Sequence, residues 1–513
     1  MHALDAAFVR LERVFDRAFG AAANPLRHLG TLGYLMFWLL ALSGLYLFIR
    51  FDTSIDGAYA SIGRLSDAEW WFGGVLRSLH RYASDAFVVV VALHLLRELA
   101  AGRFRGFRAF SWISGVPLLW LLYASGVIGY WLVWDARAQF SALATAEWFH
   151  ALGIGAEPMV RNFLGAEAVP NRMFSLFVFL HIGLPLALLA GMWIHVQRLG
   201  RPRTLSPRPL LAGFTAMLLA LALALPAASE VPWDSARVPV SVAQDWFLLF
   251  WQPLMYATSP LALWAILGGA TAALVVLPWR ARRPALPAAV VSPQNCNGCG
   301  RCVDDCPYQA VLLAPHATKR GAFQAVVMAE RCAACGICAG ACPSSTPFRA
   351  DADLVSGIDL PGLTVNALRA RLEAALGKLA GDGRVVLFGC EGGPALGALA
   401  DARTAALTLP CLAMLPPSFI EYALRSGAQG VLLAGCAPGE CRYRQGLEIT
   451  AERLAGAREP HLRASVPRAR LWQAGDRVQD AAGLRESLAG FRTALKALGA
   501  PPPTRPKRAR VAS

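Results

Sequence analysis

The chain has 513 residues, of which 56% are apolar and 16% are charged, against about 25% charged residues in an ordinary soluble domain. This composition excludes a wholly soluble protein, and the length allows a membrane bundle plus soluble domains. The net charge of +15 fits a nucleic-acid ligand, anionic lipid or basic loops on one side of a membrane. The distribution of the charge along the chain distinguishes these three explanations.

The first 25 residues do not have the pattern of a signal peptide, because charged residues are scattered through them. Apolar residues recur at steps of three or four from Leu4 to Phe19. We therefore predict an amphipathic helix that lies in the membrane interface and ends by Pro25.

Five apolar runs without charged residues are long enough to cross a bilayer, which takes about 20 residues. They are Leu29–Ile49, Ala109–Trp134, Met173–Gln197, Pro209–Ser229 and Trp246–Trp279. A sixth crossing is predicted between Trp70 and Leu99 in spite of its polar residues, since polar groups at membrane depth usually face the bundle interior. These residues are Arg77, His80, Arg81, Asp85 and His94.

The placement of arginines predicts which side each loop faces. The segments 1–28, 97–108, 198–208 and 280–283 contain 15 Arg and 4 acidic residues, whereas the segments 50–77, 135–172 and 230–245 contain 7 Arg and 11 acidic residues. By the positive-inside rule the first set is cytoplasmic. We expect a multi-pass protein of the prokaryotic inner membrane with both termini in the cytoplasm, and its charge gives no case for nucleic acid.

Four histidines form two equal spacings, since His80 and His94 are 14 residues apart and so are His181 and His195. Fourteen residues are close to four helical turns, about 21 Å, so each pair lies on one face of its helix. Both helices run in the same direction, which predicts that His80 meets His181 at the outer level and His94 meets His195 at the inner level. Two stacked bis-histidine sites are typical of two b-type haems, whereas a single intramembrane histidine is commonly a hydrogen-bonded core residue.

Glycines repeat the spacing of 14 residues on the first and third crossings, at Gly30, Gly44, Gly115 and Gly129. We interpret them as cofactor-binding positions that leave room for macrocycles at two levels. Glycine is also common in membrane helices for packing alone.

Residues 1–283 resemble the cytochrome b of bc-type quinol-oxidising complexes. The histidine pairs and the four glycines carry the resemblance, together with Arg77-Ser-Leu-His80, His181 followed by Pro185, and Gly129-Tyr-Trp-Leu-Val-Trp134. It implies an all-α, six-helix transmembrane diheme bundle, quinone as substrate and a homodimer. It also implies that Arg77 pairs with a haem propionate; an interface-anchoring arginine is the alternative.

The family has a Pro-Glu-Trp-Tyr motif at its outer quinol site, where this chain has Gln244-Asp-Trp-Phe247. The resemblance implies that Asp245 is a catalytic residue that accepts a quinol proton. The alternative is an interfacial helix cap.

A proline- and alanine-rich linker after Arg283 leads to a cysteine motif that occurs twice. This Cys-x2-Cys-x2-Cys-x3-Cys-Pro run is the bacterial two-[4Fe–4S] ferredoxin pattern, in which each cluster takes its fourth ligand from the other run. One cluster is predicted at Cys296, Cys299, Cys302 and Cys342, and the other at Cys332, Cys335, Cys338 and Cys306. Structural zinc would leave the repeat unexplained. We expect a small α+β domain over residues 284–350, with a hairpin that pairs Ala310–Leu313 with Ala325–Met328.

Apolar runs alternate after residue 384 with helical stretches at Ser418–Gly427, Cys441–Ala457 and Ala481–Leu498. This alternation predicts an α/β domain with a parallel sheet over residues 351–500. Three cysteines follow predicted strands and a fourth opens the next helix; they are Cys390, Cys411, Cys436 and Cys441. Ligands gather at such strand ends, so the four are candidate ligands of a [2Fe–2S] cluster. The alternative is a docking domain with unligated thiols.

Phe388-Gly-Cys390 and the segment from Ala434 to Tyr443 resemble the small iron–sulfur subunit of methyl-viologen-reducing hydrogenases. This resemblance implies a cytoplasmic redox partner of the heterodisulfide-reductase or hydrogenase type. Residues 501–513 have the composition of a disordered basic tail.

These patterns predict a membrane electron-transfer protein, a subunit of a quinone-linked oxidoreductase. It would pass electrons between the quinone pool, two b haems and cytoplasmic iron–sulfur clusters. Two alternatives stay open: a passive diheme membrane anchor of a dehydrogenase, and a redox-sensing or assembly scaffold.

Overall fold

A computed structural model describes residues 2–153, 171–280, 287–349, 353–436, 441–474 and 481–499, apart from 235, 238 and 240. The packing divides the chain into two compact units. The first comprises residues 1–198 and 202–283, and the second comprises 199–201 and 284–513. The predicted basic tail, 501–513, lies outside the described residues.

The first unit is helical. Its helices are α1 (His2–Phe19), α2 (Leu29–Arg50), α3 (Ile55–Asp67), α4 (Val75–Ala100), α5 (Ala109–Trp131), α6 (Ala136–His150), α7 (Asn171–Val196), α8 (Arg208–Ala224), α9 (Trp251–Ala257) and α10 (Pro260–Arg280). Helix α2 packs on α4, and α5 packs on α7. Their facing apolar side chains, among them Met36, Leu79, Leu122 and Leu188, form one buried core.

Within the described residues of the first unit, four segments are long and apolar enough to cross a membrane, namely Leu29–Arg50, Gly106–Trp131, Phe174–Val196 and Pro260–Arg280. Helix α4 has 26 residues but contains charged side chains, and the apolar helix α8 has only 17. The number of six crossings therefore stays a prediction.

The expected crossing over Trp246–Trp279 is wrong in its bounds. The chain instead forms two helices, α9 and α10, with a break at Thr258 and Ser259. Pro260 explains the break, because proline has no amide hydrogen to continue a helix and suits the first position of a new one.

The amphipathic helix predicted at the N-terminus is present as α1. Its Glu12 is buried and accepts a 2.7 Å hydrogen bond from Nε of Arg97, near the end of α4. Leu11 and Val14 on the same helix remain exposed. The ion pair therefore fixes α1 against the bundle while part of its apolar surface stays available to lipid.

The second unit begins with a small domain of short elements. Strands β2 (Val311–Pro315) and β3 (Phe323–Val327) form the antiparallel hairpin, and α11 (Arg301–Asp304) and α12 (Ile337–Ala341) follow the second cysteine of each repeat. Strand β1 (Val290–Val291) pairs with β4 (Ile358–Asp359). The first and last strands of this region, β1 and β4, thus form one antiparallel pair.

The C-terminal region contains the predicted parallel sheet. Its strands are β5 (Val385–Cys390), β6 (Thr404–Leu409), β7 (Gly430–Ala434) and β8 (Leu471–Ala474), in the order β6-β5-β7-β8. The helices are α13 (Val365–Leu376), α14 (Ser418–Arg425), α15 (Gly446–Ala455) and α16 (Ala481–Ala497). Strands β5 and β7 are buried along their whole length, as expected for the centre of a covered parallel sheet.

Candidate haem and iron–sulfur sites

The two histidines predicted to form the outer pair lie opposite each other between α4 and α7, with their ring planes at 65°. His80 on α4 and His181 on α7 have ring centroids 6.3 Å apart. Two imidazoles that share one metal ion at a metal–nitrogen distance of about 2.0–2.1 Å have centroids roughly 6 Å apart. The separation therefore fits two rings that would together hold a haem iron. His94 and His195 lie one level further along the same two helices.

Each of the four glycines faces one of the four histidines. A Cβ would stand 3.7 Å from Cε1 of His94 at Gly30 and 3.1 Å from Cε1 of His80 at Gly44. On the other helix pair, a Cβ would stand 3.1 Å from Cε1 of His195 at Gly115 and 2.8 Å from Cε1 of His181 at Gly129. The sequence predicted room for a macrocycle. The structure adds that the glycines make room for the imidazoles themselves.

Three histidines have a fixed partner at Nδ1. Ser43 Oγ lies 3.0 Å from Nδ1 of His80, Ser114 Oγ lies 3.2 Å from Nδ1 of His195, and the Ser125 carbonyl lies 2.9 Å from Nδ1 of His181. Ser43 donates its own proton to the Leu39 carbonyl, so its oxygen is available to accept from the ring. A histidine bound through Nδ1–H presents Nε2 as the metal ligand.

Sequence reasoning missed these serines, although a signal was present. Ser43 precedes Gly44 and Ser114 precedes Gly115, so a Ser-Gly pair marks one site on each glycine-bearing helix. The pairing of each serine with a particular histidine required the helix packing.

The Arg77 guanidinium, which was predicted to pair with a haem propionate, forms hydrogen bonds with two hydroxyl groups. It donates through Nη1 to Ser66 Oγ and through Nη2 to Ser229 Oγ, the latter at 2.7 Å. The two hydroxyls hold the guanidinium near the start of α4, three residues before His80.

Asp245 lies in a buried polar cluster. Its carboxylate accepts from Arg81 Nη2 at 3.0 Å, from the Tyr130 hydroxyl, and from the amides of Phe247 and Leu248 at 2.7 and 3.2 Å. Arg81 also pairs with Asp85 at 2.5 Å. Asp245 therefore caps a turn and pairs with Arg81, and its role with quinol stays a prediction.

The structure brings the ferredoxin cysteines together in two sets. One cavity is lined by Cys296, Cys299, Cys302 and Cys342, and a second is lined by Cys306, Cys332, Cys335 and Cys338. Each set takes three residues from one repeat and one from the other. Gly300 and Gly336 have φ values of +79° and +74°, a conformation that glycine adopts without strain, so both loops turn in the same way around their cavity.

The chemistry of the donors fits iron–sulfur clusters. Amides point at the sulfurs, with Ala325 N 3.4 Å from Cys296 Sγ and Ala310 N 3.2 Å from Cys306 Sγ. Burial raises the pKa of Cys302 and of Cys335 to about 12. Such thiols keep their protons unless a metal cation replaces them, and metal binding then releases protons.

The four C-terminal cysteines converge at the carboxyl edge of the sheet and are all buried. The Cys390 thiol is within hydrogen-bonding reach of Cys411 and Cys436, and Cys441 reaches the same two. These two donors lower the pKa of Cys390 and of Cys441, because each stabilises a neighbouring thiolate. The structure thus brings the four thiols together, and their role as cluster ligands stays a prediction.

One expectation for this quartet is wrong. Cys441 does not open a helix, since α15 begins only at Gly446. A Cβ at Gly446 would stand 2.2 Å from Cys411 Sγ. The helix therefore starts after the cysteine loop, at a residue that leaves space for the sulfur.

Comparison with known protein families matches three parts of the chain. Residues 17–201 match the family model Cytochrome b/b6/petB, residues 295–346 match a 4Fe-4S dicluster domain, and residues 399–499 match the methyl-viologen-reducing hydrogenase, delta subunit. All three agree with the resemblances found in the sequence.

The relatives that match are cytochromes b. Cytochrome b6 of Heliobacterium mobile is 30% identical over 154 residues, which cover 30% of this chain and 72% of that protein. The menaquinol:cytochrome c reductase cytochrome b subunit of Bacillus subtilis (strain 168) is 27% identical over 200 residues, covering 36% of this chain and 88% of its own length. The chain spans only 45% of the cytochrome b of Rhodospirillum rubrum, at 24% identity.

Among solved structures, a chain of a hyperthermophilic respiratory Complex III is similar with a TM-score of 0.41 and 19% identity, over 49% of this chain and 74% of that one. The chain belongs to the cytochrome b family through its first unit. With its 4Fe-4S dicluster domain, it is a membrane electron-transfer protein whose cofactors include haem b and [4Fe–4S] clusters.

Proposed function

We propose that this protein passes electrons between the quinone pool, two b haems and cytoplasmic iron–sulfur clusters, to or from a partner of the heterodisulfide-reductase or hydrogenase type. The proposal depends mainly on one observation: the ring centroids of His80 and His181 lie 6.3 Å apart. The same chain also brings the ferredoxin cysteines together around two cavities. Quinone dissolves in the bilayer and the partner in water, so a chain with sites in both can connect them.

The residues have the following roles in this proposal. His80 and His181 hold the outer haem, and His94 and His195 hold the inner one. Ser43 and Ser114 keep two of the rings in the ligand tautomer, and the facing glycines let the rings stand between the helices. Bound haem supplies one-electron chemistry at iron.

The cytoplasmic part divides between a two-[4Fe–4S] domain over residues 284–350 and a partner-binding domain over residues 351–500. The mutual contacts of Cys390, Cys411, Cys436 and Cys441 support a [2Fe–2S] cluster as the terminal centre. The likeness of residues 399–499 to a hydrogenase delta subunit supports the choice of partner.

Anaerobic purification with optical and EPR spectroscopy tests the proposal. We expect b-type haem absorption and [4Fe–4S] signals that a quinol analogue reduces. Absence of b-type haem absorption would refute the central assignment. Cofactors that quinol cannot reduce would instead favour a sensing or assembly scaffold.

Sidedness gives a second test. If quinol is oxidised outside and electrons leave inside, the membrane potential contributes about 2.3 kcal/mol per charge per 100 mV. Reduction of the partner in sealed vesicles should then stop when an uncoupler is added. Indifference to the uncoupler would refute this coupling.

A second function, a passive diheme anchor, is favoured by the surroundings of Asp245. Four donors already satisfy its carboxylate, so it needs no quinol to complete its bonding. Under this alternative Asp245→Asn leaves quinol turnover unchanged, whereas a proton-accepting Asp245 predicts a loss. Asp85→Asn is the matched control, since it removes the other carboxylate that pairs with Arg81.

A further inference from the structure

The second ferredoxin repeat lies directly against the loop that follows Cys411. A Cβ at Gly340 would stand 2.1 Å from the Ala413 carbonyl oxygen and 2.8 Å from that of Met414. Gly340 belongs to α12, between Cys338 and Cys342. No side chain at position 340 fits between these two backbones, so the helix of the second ferredoxin repeat packs closely on the loop that follows Cys411.

A buried arginine occupies the same junction. Arg453 on α15 is 1% exposed, and its Nη1 donates to the Ala413 carbonyl at 2.7 Å. The same Nη1 would be 2.9 Å from a Cβ at Gly340. The guanidinium therefore touches both the loop of the quartet and the helix of the ferredoxin repeat.

The counter-ion of Arg453 also belongs to a cysteine loop. Asp305, which immediately precedes Cys306, accepts from Arg453 Nη2 at 2.5 Å and from Arg458 Nη1 at 2.5 Å. The Asp305 side chain is 3% exposed. Arg458 also donates to Glu452, so the two arginines balance two carboxylates, and Arg453 is the cation of this group that is almost completely removed from water.

We propose that Arg453 is a positioning residue that sets the reduction potentials of the cluster at Cys306, Cys332, Cys335 and Cys338 and of the centre at the C-terminal quartet. The proposal rests on the ligand assignment made under the proposed function. One-electron reduction adds one negative charge to a cluster. A fixed cation in a poorly solvated site stabilises that added charge and raises the potential.

Asp305 acts in the opposite direction. Its carboxylate lies next to the ligand Cys306 and disfavours the added electron, and Arg453 and Arg458 offset this effect. The two residues therefore make opposite predictions, which a purely structural role of the ion pair does not, because loss of either partner would then disturb the same junction in the same way.

An EPR-monitored redox titration of the anaerobically purified full chain tests the proposal. Arg453→Gln should lower the midpoint potential of the neighbouring [4Fe–4S] cluster by about 59 mV, a tenfold drop in the ratio of reduced to oxidised cluster at fixed poise. Asp305→Asn should raise it, and Arg453→Lys, which keeps the charge, should stay closer to the unmodified protein than Arg453→Gln.

Iron content and EPR line shape separate the possible failures. Clusters at full occupancy whose potentials do not move, or move in one direction for both Arg453→Gln and Asp305→Asn, would overturn this proposal alone. Unmodified protein without [4Fe–4S] signals would overturn the ligand assignment as well. If Arg453→Gln does not assemble, Asp305→Asn is compared with Arg453→Lys: a higher midpoint potential in Asp305→Asn alone supports the proposal, and no rise in Asp305→Asn overturns it.

Discussion

Gly129 on α5 lies directly against the ring of His181 on α7. A Cβ at position 129 would stand 2.8 Å from Cε1 and 3.4 Å from Nδ1 of that histidine. The glycine is thus part of the geometry that orients the ring, since any side chain there must displace the imidazole or separate the helices.

Gly129→Ala should therefore prevent binding of the proposed outer haem. The added methyl group pushes His181 away from His80, so we expect one of the two proposed haems to be lost while the haem at His94 and His195 remains. Haem content per chain and the α-band spectrum measure this. Gly183→Ala is the control, because Gly183 lies on the same helix as His181 with no atom within 4 Å of its Cβ position. Full haem content in Gly129→Ala would contradict the assignment.

Ser43→Ala and Ser114→Ala should each affect one haem only. Without its Nδ1 acceptor, the imidazole becomes a weaker donor to ferric iron, so the midpoint potential should rise at the outer haem for Ser43→Ala and at the inner haem for Ser114→Ala. Loss of such a partner typically weakens metal binding by about 10–100-fold. Ser84→Ala is the control, since the Ser84 hydroxyl donates to the Arg81 carbonyl within its own helix. Equal shifts at both haems would contradict the pairing.

Gly340→Ala should destabilise the junction between the ferredoxin repeat and the C-terminal sheet. Its Cβ would collide with the Ala413 carbonyl, and backbone cannot give way as a side chain can. We expect the free energy of unfolding to fall by about 1–3 kcal/mol, as for other overpacked cores. Chemical unfolding of the holoprotein measures this change. Gly490→Ala, on α16 with open space at its Cβ position, should be neutral or stabilising. Equal effects of the two changes would refute the steric argument.

Removal of the clusters should unfold the ferredoxin hairpin before the C-terminal sheet. The small core around β2 and β3 includes the cysteines themselves, so it loses its centre with the iron. The sheet keeps its own core, with Phe388 and Val431 fully buried. Hydrogen exchange after oxidative cluster loss should show deprotection of residues 311–327 and retained protection of β5 and β7. Unchanged exchange in the hairpin would contradict this expectation.

The C-terminal helices show where local sequence is sufficient. The helix expected at Ser418 begins there and ends at Arg425, and the one expected at Ala481 ends at Ala497, because apolar periodicity and nearby glycines are local signals. The predicted start of α15 at Cys441 was wrong. The helix begins at Gly446, where the absence of a side chain leaves space for the sulfur of Cys411, a residue far away in the chain.

The sequence alone determined what depends on spacing. Histidines 14 residues apart must share a helix face, and a repeated cysteine motif must fold twice in the same way, because both follow from local backbone geometry. The tertiary structure alone decided which groups meet across distant segments: Arg81 with Asp245, Ser43 with His80, and Arg453 with Asp305. Polar and charged side chains have many potential partners in a chain of this length, and only packing selects one by removing both groups from water.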